Sequence, residues 1–263
     1  MSQAAELFKA GKLQEAIAAQ IQEVKANAAD HARRLFLFEL LSFSGELDRA
    51  ERQIDAVKYD DPELDLAVRG YRKMLDAEQA RRRLFSQGLK PEFLVDPPDY
   101  VRKHLEAVNC LRDKRPAEAK ELLDRAAAEA PVVKGQLNGK AVDHVRDADD
   151  LFANILEVMA HGKYCWVPLE QVALIAMNPP RFPRDLLWCP ARLELKEGPA
   201  GEVFLPAVYP GSHEHADDQI KLGRATDWTS DEAGPVRGIG LRLFLAGDDT
   251  MALPEWREWQ GGE

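Results

Sequence analysis

Cysteine is scarce in this chain: three among 263 residues, Cys110, Cys165 and Cys189. They are odd in number and widely spaced, which excludes a disulfide framework and the ligand spacing of a zinc site. Long apolar runs are missing too, and no stretch approaches the ~20 residues needed to cross a bilayer. The opening "MSQAAELFKAGK" lacks a basic segment followed by a continuous apolar block, so no secretory signal is expected. Positive charge is in deficit, with 35 Lys and Arg against 45 Asp and Glu, a net charge of −10. Such a chain gains little from counterion release at a phosphate backbone, which argues against a nucleic-acid partner. A reduced, cytoplasmic protein with no membrane and no nucleic-acid partner is the expectation.

Recognisable catalytic motifs are also wanting. No phosphate-binding loop and no G-x-S-x-G elbow occurs. "RGIGLR" carries Gly238 and Gly240 but lacks the third glycine of a dinucleotide fingerprint. No nucleophile paired with a base stands out, so the chain reads as a non-enzyme without a cofactor.

What is present divides into two halves. The first reads as helices, with Leu13, Ala16, Ile17, Ile21 and Val24 on one stripe and Leu47, Ala50, Ile54 and Val57 on another. A longer helix is expected over about 64–85, ending near Gly88. "GKLQEAI" (11–17) returns after 34 residues as "GELDRAE" (45–51), and Ala50 and Ala119 lie 69 residues apart, each twelve residues before a proline, Pro62 or Pro131. This period suits stacked helical hairpins, with the small Ala at a helix crossing and Gly11 and Gly45 in the turns. It resembles tetratricopeptide repeats, in degenerate form: "NAAD" stands where the first proline would be, and "DKRPAEA" replaces the third turn glycine. A generic bundle rich in Ala and Leu is the plainer alternative.

The second half is rich in proline and holds all five tryptophans. "VKGQLNGKAVDHV" carries Asn138-Gly139, a hairpin signal. A helix is expected over about 148–161, with Leu151, Ile155, Leu156 and Met159 on one face and Gly162 closing it, and a short one over 169–177. Short apolar runs bounded by turn residues then read as strands, with "ARLELKEGPAGEVFLPA" as a hairpin. The expected fold is α+β: a tetratricopeptide-like α-α superhelix over 1–131, then a smaller, mostly antiparallel β domain rich in irregular loops over 132–263. No flexible linker separates them, so they should pack together.

Several side chains invite a functional reading. His213 and His215 in "GSHEHADDQ", with Glu214, Asp217 and Asp218, are the best metal candidates, but two histidines in a loop do not make a site. Arg184 and Asp185, Arg224 and Asp227 beside Trp228, and Arg237 and Arg242 form Arg/Asp clusters. They can staple loops, form a partner-binding surface, or converge in a ligand or catalytic pocket. Trp166 and Trp188 lie in apolar runs as core residues do; Trp228, in a polar loop, suits an interface anchor; Trp256 and Trp259 lie near a terminus, where order is least expected. "QARRRLF" (79–85) is a basic run that reads as a solvated face, or as the complement of an acidic segment.

"GKYCWVPLEQV", "PPRFPRDLLW", "EVFLPAVYPGS", "LGRATDW" and "VRGIGLRLFLAGDD" follow in this order behind the helical repeat. Together they resemble the ImpE/SciE family, also called TagJ, accessory proteins of bacterial type VI secretion. The resemblance implies a non-enzymatic adaptor with protein partners: the small subunit of the contractile sheath and the AAA+ ATPase that disassembles it. Arg184, Asp185, Arg224, Asp227 and Trp228 are the expected partner-binding residues. A small-ligand binder using the Arg/Asp loops, and a homo-oligomer pairing exposed apolar helix faces, are the alternatives.

Overall fold

A computed structural model of the chain describes residues 2–229 and 233–262. The fold is α+β. Helices come first: α1 (Gln3–Lys9), α2 (Leu13–Ala26), α3 (His31–Phe43), α4 (Leu47–Asp55) and the 26-residue α5 (Pro62–Gln87). A two-residue strand, β1 (Glu92–Phe93), precedes α6 (Tyr100–Arg112) and α7 (Pro116–Glu129). Strands follow: β2 (Gly135–Leu137), β3 (Lys140–Val142), β4 (Val145–Asp147), β5 (Ile155–Ala160), β6 (Lys163–Pro168), β7 (Val172–Met177), β8 (Trp188–Leu195) and β9 (Ala200–Pro206). After α8 (Asp218–Lys221) come β10 (Thr226–Thr229), β11 (Arg237–Gly240), β12 (Leu243–Ala246), β13 (Asp249–Ala252) and β14 (Glu258–Gly261).

The 34-residue echo is real geometry. Three helical hairpins, α1–α2, α3–α4 and α6–α7, share one turn. Gly11, Gly45 and Lys114 adopt φ of 77°, 79° and 59° at equivalent positions. The next residue's N–H reaches back five residues in each case: Lys12 to Leu7 (3.0 Å), Glu46 to Leu41 (2.9 Å) and Arg115 to Cys110 (2.8 Å). This is the left-handed helix stop that satisfies orphan carbonyls. Ala16, Ala50 and Ala119 are completely buried at the crossings. Between the second and third hairpins the array is interrupted, because α5 has no hairpin partner. It begins at Pro62 behind an Asp61 cap, ends at left-handed Gly88, and lies against β5 and β6.

The main sheet has nine strands in the order β1-β6-β5-β9-β8-β7-β14-β2-β3, antiparallel except for β1 against β6. β13-β12-β4 forms a second sheet and β10–β11 a hairpin. Odd and even residues of β5 face different cores. Leu156 and Val158 join Trp256, Trp259 and Phe244 between the two sheets; Ile155 and Met159 face the helices.

Three expectations are corrected. The helix over 148–161 is instead a turn followed by β5, and Gly162 does not close a helix. His161 (φ 53°) and Gly162 (φ 83°) form the two-residue loop between Ala160 and Lys163, a turn needing positive φ at both positions. The helix over 169–177 is one 3-10 turn (Leu169–Gln171) followed by β7. Trp256 and Trp259 are ordered core residues: β14 is inserted between β7 and β2, which buries both rings.

Candidate functional site

The densest polar chemistry lies buried where α5 crosses β5. Glu157 points from β5 toward the helix and accepts from Arg81 Nε (2.7 Å) and Nη2 (2.8 Å), and also from Tyr164 Oη and Arg242 Nη2. Arg242 continues to Asp147 (2.7 Å), which accepts from Tyr209 Oη (2.8 Å) and the Asp149 amide (2.8 Å). Asp149 in turn accepts from Arg237 Nε (2.9 Å) and the Gly238 amide (2.9 Å). Arg81 Nη2 also reaches the Val208 carbonyl at 2.8 Å. The Arg242 guanidinium lies over the Phe152 and Tyr209 rings, at 4.7 and 5.0 Å from their centroids.

Arg81, Arg242, Asp147, Asp149 and Glu157 are all buried, as is Glu78, whose carboxylate lies 3.6 Å from Arg81 Nη1. Burial pushes Glu157 up, but Arg81 and Arg242 outweigh it and hold the carboxyl below its ordinary value. At Asp147 burial wins over Arg242, and the group is pushed up to about 7. The carboxylates already hold several donors each and lie out of solvent. Chemically, the arrangement can fasten three layers together; it does not present a reactive group to a substrate.

Arg81 is the residue that sequence reasoning missed, because it sits inside the basic run 79–85. The signal was its phase. Met74, Ala77, Glu78, Arg81 and Leu84 recur at three- and four-residue intervals and all are buried. Arg82 and Arg83, one and two positions on, turn away from the core.

A second contact zone joins the helical half to loops of the sheet half. Arg184, in the 3-10 turn Pro183–Leu186, is buried against Glu39 of α3 and donates to its carboxylate and to Tyr71 Oη. Its guanidinium stacks on the Tyr71 and Phe182 rings, 3.9 Å from each centroid. Asp185 is turned back on its own loop, accepting from the Arg181 and Phe182 amides at 2.8 and 3.0 Å. Arg224 donates to the Lys9 and Phe8 carbonyls at 3.0 and 2.8 Å, closing the end of α1. Asp218 accepts from the Leu13 amide at 2.8 Å, capping α2 from 205 residues away.

The same loop explains the two turn glycines. Gln219 lies where a Cβ on Gly11 would stand (2.0 Å), and His213 where one on Gly45 would stand (2.2 Å). The inner side of the helical repeat is thereby occupied by the chain itself. Every residue from Leu37 to Phe43 of α3 is buried, in a core shared with Leu187, Trp188, Val208 and Leu222.

Of the expected partner-binding residues, Arg184 and Asp185 are therefore withdrawn from the surface, and Arg224 is engaged with α1. Asp227 and Trp228 stand on β10 at the surface. Trp228 is 38% exposed, with its ring 6.1 Å from that of Tyr209. These residues do not share one pocket. The two histidines also separate. His213 packs on the Gly45 turn, where burial and then Arg82 push it down to about 4, whereas His215 Nδ1 accepts from the Asp217 amide at 3.1 Å. Among the described residues, no group of three His, Cys, Asp or Glu side chains is placed to hold a metal ion. Nor, among them, is any helix long and apolar enough to cross a membrane.

A helical repeat thus closes over a nine-stranded sheet, with its polar residues tied into the junction. Comparison with known proteins shows where this architecture belongs. A family model described as "ImpE protein" matches residues 139–260. The type VI secretion system accessory component TagJ of Pseudomonas aeruginosa (strain PAO1) is 34% identical over 255 residues, covering 97% of this chain and 89% of that protein. The chain belongs to the ImpE family. The crystal structure of protein VPA1032 from Vibrio parahaemolyticus has the same fold, with a TM-score of 0.91 over 100% of this chain and 98% of that one, at 23% identity.

Proposed function

We propose that this chain is a cytoplasmic accessory protein of a type VI secretion system, an adaptor that catalyses no reaction. It binds the small contractile-sheath subunit, the sheath-disassembling AAA+ ATPase, or both. The observation that carries this reading is the kinship with TagJ across nearly the whole length of both chains. The geometry is in keeping with it, since the Arg/Asp clusters are distributed among loop-fixing pairs. Asp227 and Trp228, exposed on one hairpin, are assigned to a partner-binding surface, with the indole as anchor. The test is co-purification of the tagged full chain with the two candidate partners at micromolar concentration. Retention of at least one is expected, and Trp228→Ala should weaken it by about tenfold or more. Failure to retain either partner contradicts the proposal.

A further inference from the structure

In the helical half, α4 and the last turns of α5 border an open groove of about 610 Å³. Arg49 and Arg52 line one wall and Arg82 and Arg83 the other, with Gln79 and Gln87 alongside. Glu46 and Asp48 are the acidic side chains on the lining. In a chain of net charge −10 this groove is locally positive, with four arginines against two carboxylates.

The arginines are not equivalent. On α4 and α5 the others have carboxylate partners: Arg49 with Glu46, Arg69 with Asp65, Arg72 with Glu51 and Asp55, Arg81 with Glu157, and Arg82 with Glu78. Among the described residues, Arg52 and Arg83 have no carboxylate in ion-pair range, both are exposed, and both line this one groove. Arg82 is held in place by the Gly45 carbonyl at 2.7 Å, so the wall between them is fixed.

We propose that this groove is the docking site for an acidic segment of a protein partner. The inference rests on the adaptor reading and gives the partner's contact its chemistry. Unpaired guanidiniums present planar forks that match carboxylates in a bidentate fashion, which lysines would not. From Gln79 to Gln87 the groove runs two turns of α5, about 12 Å at the helical rise. That length and its openness suit several carboxylates spread along a chain better than one buried anion. The core beneath the repeat is shared with the chain's own loops. A second groove of the helical half, about 400 Å³ between α6 and α7, carries Glu106, Glu118 and Glu121 against Arg115 and Arg125 and so lacks the positive excess.

The experiment uses the intact chain, a fluorescein-labelled poly-glutamate peptide with a poly-lysine peptide as control, and anisotropy as the readout. The wild type should bind poly-glutamate and not poly-lysine, with affinity falling as salt is raised. Arg52→Glu with Arg83→Glu should cost at least about tenfold. Both side chains are exposed, so the fold should stand, as circular dichroism would confirm. Arg102→Glu with Arg125→Glu, the same charge change on α6 and α7, should alter binding less than about twofold. Equal binding by the groove variant and the wild type, or an equal loss in the control variant, overturns the assignment. A parallel pull-down with the small sheath subunit separates the two readings. A wild type that binds poly-glutamate through the groove but retains neither sheath subunit nor ATPase refutes the adaptor and leaves the groove standing.

Discussion

The two halves of this molecule solve the same problem by different physics. The helical half repeats a backbone device, a left-handed turn with a buried alanine five positions on, and its core is apolar with its paired charges mostly at the surface. The sheet half repeats nothing and is organised around ions in its interior, Glu157 between Arg81 and Arg242 and Asp147 beside them. The difference teaches where each half tolerates change. A repeat can lose its glycine, as Lys114 shows, provided nothing packs on the turn. A buried ion cannot lose its partner without stranding a charge.

Glu157→Gln should be the most damaging, because it leaves two buried guanidiniums facing a neutral amide. A loss of about 3–5 kcal/mol is expected in urea denaturation, and a loss below about 1 kcal/mol would mean that the network carries little. Next come the turns. Gly45→Ala adds left-handed strain and a methyl group in the place of the His213 ring, and should cost about 1–3 kcal/mol. Lys114→Gly, at the equivalent position with no ring above it, should instead gain up to about 1 kcal/mol. If Gly45→Ala cost no more than Lys114→Gly gained, strain alone would explain the turns and the packing account of Gly45 would be wrong.

The last effect concerns pH. His104 is buried on α6 with Nδ1 2.7 Å from the Leu151 carbonyl, and burial pushes it down from 6.5 to about 4. Between those values the unfolded chain takes up a proton that the folded chain refuses, so stability falls as pH drops from 6.5 toward 4. His104→Asn, which can keep a donor to Leu151, should flatten that fall by up to about one proton in slope. An unchanged slope in urea midpoints across this range would show that His104 does not titrate as described.

Much of the helical half was legible because a 3.6-residue stripe and a turn glycine are local signals. α5 is an example: its extent and its stop at Gly88 follow from periodicity and one residue. β5 was not legible. A strand buried on both faces reads "ILEVMA", apolar at every position but Glu157, and such a run carries neither the helical nor the alternating period. Leu151, Ile155 and Met159 then mimic a helical face, and His161-Gly162 mimics a helix stop. The hairpin at Asn138-Gly139 was read correctly because that dipeptide is specific to its turn (φ 53° and 79°). The junction was beyond sequence reasoning for another reason. Arg81 to Glu157 spans 76 residues, Arg184 to Glu39 spans 145, and Asp218 to Leu13 spans 205, and nothing local announces such pairs. The fates of Arg81, Arg82 and Arg83 depend on 100° of helical rotation between neighbours, which a basic run does not reveal.

The repeat and the sheet should unfold as one cooperative unit, because Arg81–Glu157, Arg184–Glu39 and the loop that grips Gly11 and Gly45 lock them together. The chain supplies its own reporters, since all five tryptophans lie in the sheet half and, among the described residues, every α-helix but α8 lies in the other. Equilibrium urea unfolding, followed at once by tryptophan fluorescence and by far-ultraviolet circular dichroism, should give superimposable transitions with one midpoint. Helical signal lost at a distinctly lower or higher urea concentration than the fluorescence change would contradict it.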